Sequence, residues 1–156
     1  MGPMKPQPGE PAPDFSMAAD DGTTVSRESQ LGKRYVLYFY PKDDTAGCTA
    51  QACSLRDNFD RLIATGIEVF GVSPDSVKSH VKFRAKYDLP YRLLSDEGHA
   101  VADAFGAWVE KTYLGKTYHG VERSSFIIGP DGKVEHVLER VKPKEHVDLV
   151  LEALAA

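Results

Sequence analysis

The strongest constraint on the fold is an uninterrupted run of aromatic and aliphatic residues, YVLYFY, from Tyr35 to Tyr40. A strand with one face in water alternates apolar and polar side chains, whereas this run is apolar at every position. Pro41 follows directly and lacks the backbone N–H that would continue a ladder of hydrogen bonds. The run therefore predicts a central strand that is buried on both faces of a sheet.

A helical pattern begins shortly after this strand, at Cys48. Its apolar side chains recur at steps of three and four residues, which is the spacing of one face of an α-helix. The stripe ends where Thr65 and Gly66 interrupt it, so the pattern predicts one helix between Cys48 and this point. The stripe consists of Ala52, Leu55, Phe59, Leu62 and Ile63.

The rest of the chain alternates strand and helix signals. This order favours an α/β fold with a mixed central β-sheet flanked by helices. The segment from Trp108 to Gly120 gives no clear pattern. The predicted elements are a hairpin of Phe15–Met17 with Thr24–Val25, a strand over Ile67–Val72, a helix capped by Ser73, Pro74 and Asp75 that runs to about Tyr87, a strand over Leu89–Leu94, a helical turn over Ala100–Phe105, a hairpin of Arg123–Ile128 with Lys133–Leu138, and a last helix opened by Pro143.

Length and composition fit one domain. The chain has 156 residues, of which 42% are apolar, and this is enough to build one core without disulfide staples. Half of its 10 prolines lie within the first 13 residues. We therefore expect residues 1–13 to form a Pro-rich, extended or mobile N-terminal segment and residues 14–156 to form a single domain.

Charge and cysteine usage exclude several function classes. The formal net charge is −4 and no dense basic run is present, so neither a nucleic acid nor an anionic membrane is an expected partner. No stretch is apolar enough for a membrane span, and the first residues lack the apolar core of a signal peptide. The two cysteines are too few for a secreted disulfide scaffold, so we expect a reducing, cytoplasmic compartment.

The position of Cys48 at a strand-to-helix junction favours reactivity. Unpaired backbone N–H groups and about half a positive charge at a helix N-terminus stabilise a thiolate, which is the nucleophilic form of cysteine. Free cysteines are also among the most buried residue types, and many are inert core residues. From placement alone, both interpretations of Cys48 remain open.

A second cysteine, Cys53, lies 5 residues further along the same predicted helix. In a regular helix that spacing separates the Cα atoms by roughly 8.6 Å, whereas a disulfide requires about 4.4 to 6.8 Å. If the two cysteines pair, the start of the helix must unwind, and the bond belongs to a redox cycle rather than to a static staple. The simpler alternative is that Cys53 is a small buried residue. A zinc site is disfavoured because no histidine lies at ligand spacing from these cysteines.

The segment from Pro41 to Cys48, PKDDTAGC, resembles the P-x-x-x-T-x-x-C signature of peroxiredoxins. Cys53 is similar to the second cysteine of the bacterioferritin comigratory protein, or peroxiredoxin Q, subgroup, and the likeness extends through APDF, GVSPDS, LLSD and GKTYHGVERSSFIIGPDG. Ala46 departs from the proline often found at its position. The resemblance implies a thioredoxin-like fold and a thiol-dependent peroxidase for hydrogen peroxide and organic hydroperoxides. In such an enzyme Cys48 would attack the peroxide, and Cys53 would resolve the sulfenic acid as an intramolecular disulfide.

The resemblance also implies three supporting residues. The Thr45 hydroxyl can donate a hydrogen bond to a peroxide and accept one from it, although a threonine here can equally serve as a helix N-cap. Arg123 would lie beside the Cys48 sulfur and stabilise its thiolate, whereas without the resemblance it would be interpreted as a surface charge. Pro41 would shield the thiolate from water, or merely end the strand.

Two carboxylates and one amide in this region receive no catalytic role. Asp43 and Asp44 are interpreted as solvated caps before the helix, because thiolate attack on a peroxide requires no acid–base pair. Gln51 stands where similar proteins often carry Glu, so the role of that carboxylate does not transfer directly.

Turnover requires an outside reductant. The resemblance implies thioredoxin or another dithiol protein as the reductant, a mostly monomeric enzyme, and no metal, haem, flavin or nucleotide cofactor. Two alternatives remain. A thiol-disulfide exchange or peroxide-sensing protein on the same fold would usually separate its cysteines by two residues, whereas 4 residues intervene here. A binding or chaperone-like module with passive cysteines would show ordinary thiol reactivity.

Overall fold

The computed structural model describes residues 4–155 as an α/β fold, which confirms the predicted class. Within that range no helix has the length and apolar character needed to span a bilayer. The elements are β1 (Ser16–Ala19), β2 (Thr24–Ser26), β3 (Arg34–Phe39), α1 (Ala46–Asp57), α2 (Phe59–Ile63), β4 (Ile67–Ser73), α3 (Val77–Tyr87), β5 (Arg92–Ser95), α4 (Ala100–Ala104), β6 (Trp108–Tyr113), β7 (Lys116–Val121), β8 (Ser125–Ile128), β9 (Val134–Leu138) and α5 (His146–Ala155). Seven strands form one mixed sheet in the order β2-β1-β5-β4-β3-β8-β9, and β6 pairs with β7 separately.

Strand β3 is an interior strand of this sheet, as its sequence predicts. It runs parallel to β4, with Val36 opposite Val69, and antiparallel to β8, with Val36 opposite Ile127. Each residue from Tyr35 to Phe39 is at most 1% exposed. Neighbours on both edges and layers on both faces keep Tyr35 to Phe39 out of contact with water, which explains why these positions carry aromatic and aliphatic side chains. Arg34, at the start of β3, is partly exposed.

The side chains of β3 alternate between two cores. Tyr35, Leu37 and Phe39 pack into one cluster with residues of β1, β8 and α4. Val36 and Tyr38 point to the opposite face and pack with residues of α1, α3 and α5. Burial of a large apolar side chain contributes about 1.5 to 3 kcal/mol, so the strand stabilises both layers. Cys48, a residue of α1, belongs to the second cluster.

The predicted helix after Cys48 is interrupted once. Helix α1 ends at Asp57, Asn58 leaves the helical region with φ −112° and ψ 15°, and α2 then begins at Phe59. The Asn58 side-chain amide donates to the Ser54 carbonyl at 2.9 Å. Asparagine competes in this way for backbone partners, which accounts for a break that the apolar periodicity does not show.

The predicted cap of α3 is wrong by three residues. Ser73 is the last residue of β4, and its hydroxyl donates to the Asp75 carboxylate at 2.5 Å. Ser76 is the N-cap instead, because its side chain accepts from the Ser79 N–H at 3.1 Å. The end of the helix at Tyr87 is as predicted.

Most of the remaining elements agree with the sequence pattern. The hairpins β1-β2 and β8-β9 form as predicted, except that β8 begins at Ser125 and leaves Arg123 in the segment before it. Helix α4 coincides with the expected helical turn. Strand β5 is shorter than predicted, since it begins at Arg92 rather than Leu89. Helix α5 begins at His146, three residues after Pro143.

The segment without a clear pattern forms the β6-β7 hairpin. Its strands pair from Trp108 opposite Val121 to Tyr113 opposite Lys116. Leu114 and Gly115 connect them, both with positive φ, as two-residue hairpin turns require. Most positions on this hairpin are partly or fully exposed, so no apolar alternation was available to predict it.

The Pro-rich N-terminal segment is held along β9 where the structure describes it, from residue 4 onward. The Gly9 N–H donates to the Val134 carbonyl at 2.8 Å, and the Val134 N–H donates to the Glu10 carbonyl at 2.9 Å. Ala12 is 1% exposed. The segment contains no helix or extended strand of its own, and residues 1–3 of the predicted segment lie outside the described residues.

The packing of β4 generates a stability prediction. A Cβ atom on Gly71 would lie 2.8 Å from the Tyr38 hydroxyl oxygen and 2.9 Å from a Leu93 methyl carbon. Because both neighbours are buried, we expect Gly71→Ala to lower the free energy of unfolding by about 1 to 3 kcal/mol. Gly120→Ala is the control, since its Cβ would meet no atom closer than 3.5 Å. Urea denaturation measures the free energy of unfolding of both variants, and equal values would contradict the packing described here.

Candidate active site

Cys48 lies in the first turn of α1, close to the point where β3 ends. Residues 40–45 connect the two elements. The sulfur-bearing residue is 2% exposed, and the N–H groups of a first helical turn have no carbonyl partner within the helix. The junction predicted from the sequence is therefore confirmed, and it places a nearly buried thiol at the positive end of a helix.

Arg123 contacts the Cys48 sulfur. Its Nη2 atom donates to Sγ at 3.3 Å. The antiparallel pairing of β3 with β8 produces this contact, because the residue before β8 must then lie beside the end of β3. The hydrogen bond from the Phe39 N–H to the Ser124 carbonyl, at 2.8 Å, closes that end of the ladder. Among residues 4–155, the Arg123 guanidinium is the one group that donates a hydrogen bond to this sulfur.

Gly47 provides the space through which Arg123 reaches the sulfur. A Cβ atom at this position would lie 3.3 Å from Arg123 Nη2 and 3.6 Å from Pro143 Cγ. A side chain at this position would require the guanidinium to shift by a few tenths of an ångström. A cleft of about 530 Å³ opens beside the same turn, lined by Ala46, Gly47, Ala50 and residues 142–145.

A buried polar chain continues behind Arg123. Its Nη1 atom donates to Gln51 Oε1 at 2.5 Å, and Gln51 Nε2 lies 3.0 Å from His146 Nδ1. His146 Nε2 lies 2.7 Å from the Ser125 hydroxyl. Gln51, His146 and Ser125 are each at most 1% exposed. The sequence indicated Gln51 only as a departure from Glu and gave no signal for the other two, which lie far apart in the chain.

The other predicted site residues are near the junction but make no hydrogen bond to the sulfur. Thr45 occupies the N-cap position of α1, yet its hydroxyl donates to the Lys42 carbonyl at 3.0 Å and caps no helix N–H. Pro41 follows the last residues of β3 and is partly buried. Cys53 lies on α1 as a partly exposed free thiol. The catalytic roles of these three residues remain predictions.

Asp43 is not the solvated cap that its sequence position suggests. It is 7% exposed and accepts hydrogen bonds from the Tyr40 hydroxyl at 2.5 Å and the Ser79 hydroxyl at 2.8 Å, and its Oδ2 atom is hydrogen-bonded to His80 Nδ1 at 2.7 Å. Its own N–H donates to the Asp75 carboxylate at 2.8 Å. The carboxylate thus anchors the loop before α1 to helix α3. Burial and the adjacent Asp43 carboxylate raise the pKa of Tyr40, which stays a donor.

The second imidazole nitrogen of His80 is also hydrogen-bonded. His80 Nε2 lies 2.9 Å from the Leu94 carbonyl, which can only accept, so Nε2 carries a hydrogen. Its Nδ1 atom is hydrogen-bonded to Asp43 Oδ2 at 2.7 Å, so both ring nitrogens have partners. Asp43, Asp75 and His80 bring their ligand atoms within 4.8 Å of one another. Those atoms are already engaged in hydrogen bonds, so the cluster is a structural anchor.

Asp44 differs from its neighbour. It is exposed, adopts φ +58°, and its carboxylate contacts Lys86 Nζ at 2.7 Å and the Tyr87 hydroxyl at 2.8 Å. Asp44 is exposed, as expected, but its carboxylate bonds Lys86 and Tyr87 of α3 instead of capping α1. Neither carboxylate touches Cys48, in agreement with their omission from the predicted site.

Comparison with known sequences assigns this arrangement to a group of proteins. The model of the AhpC/TSA family matches residues 8–137. The chain is 47% identical to Peroxiredoxin Bcp of Escherichia coli (strain K12), with 97% of this chain and 96% of that protein covered. It is 44% identical to Peroxiredoxin Bcp of Bacillus subtilis (strain 168), with 94% and 93% covered.

Comparison with solved structures agrees. Xanthomonas campestris peroxiredoxin Q matches with a TM-score of 0.85 at 38% identity, covering 90% of this chain and 89% of that one. Peroxidoxin BcpB of Mycobacterium tuberculosis matches with a TM-score of 0.84 at 33% identity, covering 96% and 97%. The bacterioferritin comigratory protein of X. campestris, studied for its alkyl peroxide reduction activity, gives 0.85 at 37% identity, covering 90% of each chain. The thioredoxin-like fold implied by the sequence resemblance is therefore confirmed.

The anchor before α1 generates a second stability prediction. Asp43→Asn replaces one acceptor oxygen of the buried carboxylate by an NH2 donor, so the hydroxyl group that bonded this oxygen loses its acceptor. Removal of one partner from a buried pair costs about 3 to 5 kcal/mol of unfolding free energy. Asp44→Asn is the matched control, because asparagine tolerates the same positive φ and the site is exposed. Urea denaturation should show a large loss for the first variant and almost none for the second. Similar losses would contradict the role of Asp43.

Proposed function

This chain belongs to the AhpC/TSA family and is a thiol-dependent peroxidase, and from this premise we propose that Cys48 is the attacking thiolate and Cys53 the resolving thiol. The observation that carries the assignment is the 3.3 Å contact between Arg123 Nη2 and Cys48 Sγ at the start of a helix. A fixed guanidinium and a helix N-terminus both favour the thiolate. No other described cysteine has such surroundings.

The first chemical step forms one bond and breaks one. The Cys48 thiolate attacks one peroxide oxygen, an S–O bond forms, and the O–O bond breaks with its electron pair leaving on the second oxygen. Cys48 becomes a sulfenic acid, and the departing oxygen takes a proton to become water or an alcohol. Arg123 keeps its charge throughout and can stabilise the negative charge as it moves from sulfur to the leaving oxygen.

Thr45 and Pro41 support this step in our proposal. Thr45 lies 3 residues before Cys48 and its side chain is exposed, so its hydroxyl can turn from the Lys42 carbonyl toward a bound peroxide. Pro41 contributes an apolar ring at the end of β3, and its lack of an N–H leaves no donor there to compete for the peroxide. Organic hydroperoxides have an apolar portion, and the cleft beside Gly47 offers a place for it.

The second step is intramolecular. The Cys53 sulfur attacks the Cys48 sulfenic sulfur, an S–S bond forms, and the hydroxyl leaves as water. Both cysteines lie within the continuous helix α1, where residues at this spacing have Cα atoms roughly 8.6 Å apart. The first turns of α1 must therefore unwind before the disulfide can form.

The cycle closes with an external dithiol. A thiolate of the donor attacks the disulfide through a mixed-disulfide intermediate and restores both thiols. We propose thioredoxin or a similar dithiol protein as this donor, and a reducing, cytoplasmic compartment as the place where it is supplied. Because the resolving cysteine belongs to the same chain, a monomer suffices for the reaction.

The two cysteines can be distinguished by single substitutions. We expect Cys48→Ser to abolish peroxide reduction in an assay with thioredoxin, thioredoxin reductase and NADPH. Cys53→Ser should complete one turnover and then stall, since its sulfenic acid has no internal partner and oxidises further. Intact mass after one equivalent of hydrogen peroxide should show loss of two hydrogens in the unsubstituted protein and added oxygen in Cys53→Ser. Equal multi-turnover rates in all three proteins would refute the mechanism.

The role of Arg123 predicts a rate effect. Lysine retains the charge but lacks the planar fork that bonds Gln51 and Cys48 together. Loss of one preorganised donor lowers a rate by about 100- to 1,000-fold, so we expect Arg123→Lys to slow the reaction of Cys48 with hydrogen peroxide by at least the lower figure. Arg140→Lys is the control, because the Arg140 side chain is exposed and forms an ion pair with Glu122 rather than a contact with Cys48. Rapid-quench mass spectrometry measures both, and equal rates would remove Arg123 from the site.

A further inference from the structure

We propose that His146, on the C-terminal helix α5, is a positioning residue for the peroxidase reaction: it fixes the Gln51 amide so that Arg123 is held against the Cys48 sulfur. The inference rests on the proposed function of Cys48. His146 touches neither the sulfur nor the expected substrate position, and it acts through two intervening side chains. His146 follows Gln51 by 95 residues in the sequence.

The orientation of the Gln51 amide follows from its two neighbours. Arginine has donors and no acceptor, so the atom of Gln51 that lies 2.5 Å from Arg123 Nη1 must be the carbonyl oxygen. The amide nitrogen then faces His146 Nδ1 at 3.0 Å. An amide NH2 group can only donate. His146 must therefore present a lone pair at Nδ1.

The same reasoning fixes the tautomer of His146. With a lone pair at Nδ1, the neutral ring carries its hydrogen on Nε2, which lies 2.7 Å from the Ser125 hydroxyl oxygen. Ser125 accepts this hydrogen bond. Burial, and secondarily the charge of Arg123, lower the pKa of His146 to about 3. The ring thus stays a neutral acceptor across the working pH range.

The hydrogen bonds from His146 through Gln51 hold Arg123 in position without placing another charge beside it. A neutral amide oxygen holds the guanidinium in place, whereas a carboxylate at the same point would form an ion pair with it. Arg123 therefore keeps its full positive charge for the thiolate and for the leaving oxygen. If His146 lost its acceptor, the Gln51 amide could rotate, and the guanidinium would lose one of its two fixed contacts. Misplacement of a positioned group by about 1 Å can lower a rate by about 100-fold.

Two substitutions of His146 separate positioning from packing. His146→Leu has a similar volume and no acceptor, whereas His146→Asn can place an amide oxygen near the position of Nδ1. We expect His146→Leu to lower the rate constant of Cys48 with hydrogen peroxide by about 10- to 100-fold, and His146→Asn to restore most of it. The unfolding free energy of each variant is measured in parallel. If the two variants lose stability but react within twofold of the unsubstituted protein, the positioning role is refuted.

A spectroscopic measurement on the unsubstituted protein tests the inference where a variant fails to fold. Imidazole ¹⁵N chemical shifts should show His146 with a protonated Nε2 and an unprotonated Nδ1 throughout pH 5 to 8. In Gln51→Glu a carboxylate faces Nδ1, so the ring should take a second proton and both nitrogens should show the protonated shift. A proton on Nδ1 in the unsubstituted protein would overturn the inference.

The outcomes also separate this inference from the function on which it rests. Slow oxidation of Cys48 in the unsubstituted protein would refute the proposed function and this inference together. Fast oxidation there, combined with equally fast oxidation in His146→Leu, would refute only the positioning role. Fast oxidation there with a slow His146→Leu and a restored His146→Asn would support both.

Discussion

The pairing of β3 with β4 on one edge and β8 on the other determines where the reactive groups lie. The parallel partner places the turn before α3, and therefore His80, beside the carboxyl end of β3. The antiparallel partner places Arg123 at the same end. Because the chain leaves β3 at this point and enters α1 within a few residues, the thiol, the guanidinium and the loop anchor converge without any long connection. Burial of β3 on both faces makes this arrangement rigid.

The site combines one strong charge with a neutral support. Arg123 is the cation next to the sulfur, and the groups behind it are an amide, a neutral imidazole and a hydroxyl. Buried polar groups are stable only when each donor meets an acceptor, and a partly satisfied chain is worse than an apolar core. Here the polarity of every link follows from the donor-only character of Arg123. These hydrogen-bonded side chains therefore specify one arrangement, in which the guanidinium charge is directed toward Cys48.

The sequence predicts those parts of the site whose residues lie close together along the chain. It does not predict the contacts between residues that are far apart in sequence. The strand ended by Pro41 and the helix beginning near Cys48 are visible as composition and periodicity, and Arg123 enters through a motif resemblance. The anchor between Asp43 and His80 spans 37 residues, and the contact of Gln51 with His146 spans 95. Their chemistry depends on which strands pair, which no local pattern states. The expectation of a solvated Asp43 is wrong because α3 covers this carboxylate, whereas most carboxylates before a helix are solvated.

In the proposed mechanism, disulfide formation by Cys53 places an opposite demand on α1, since the segment that holds Cys48 would also have to unwind. The anchors on either side of the first turns define what can move. Asp43 ties the preceding loop to α3, and Leu55 is buried further along the helix. Between them Ala46, Gly47 and Ala50 are small and partly or fully exposed, whereas Cys48, Gln51 and Ala52 are buried. Gln51 lies on α1 between Cys48 and Cys53, so unwinding of this segment would also release its contacts with Arg123 and His146.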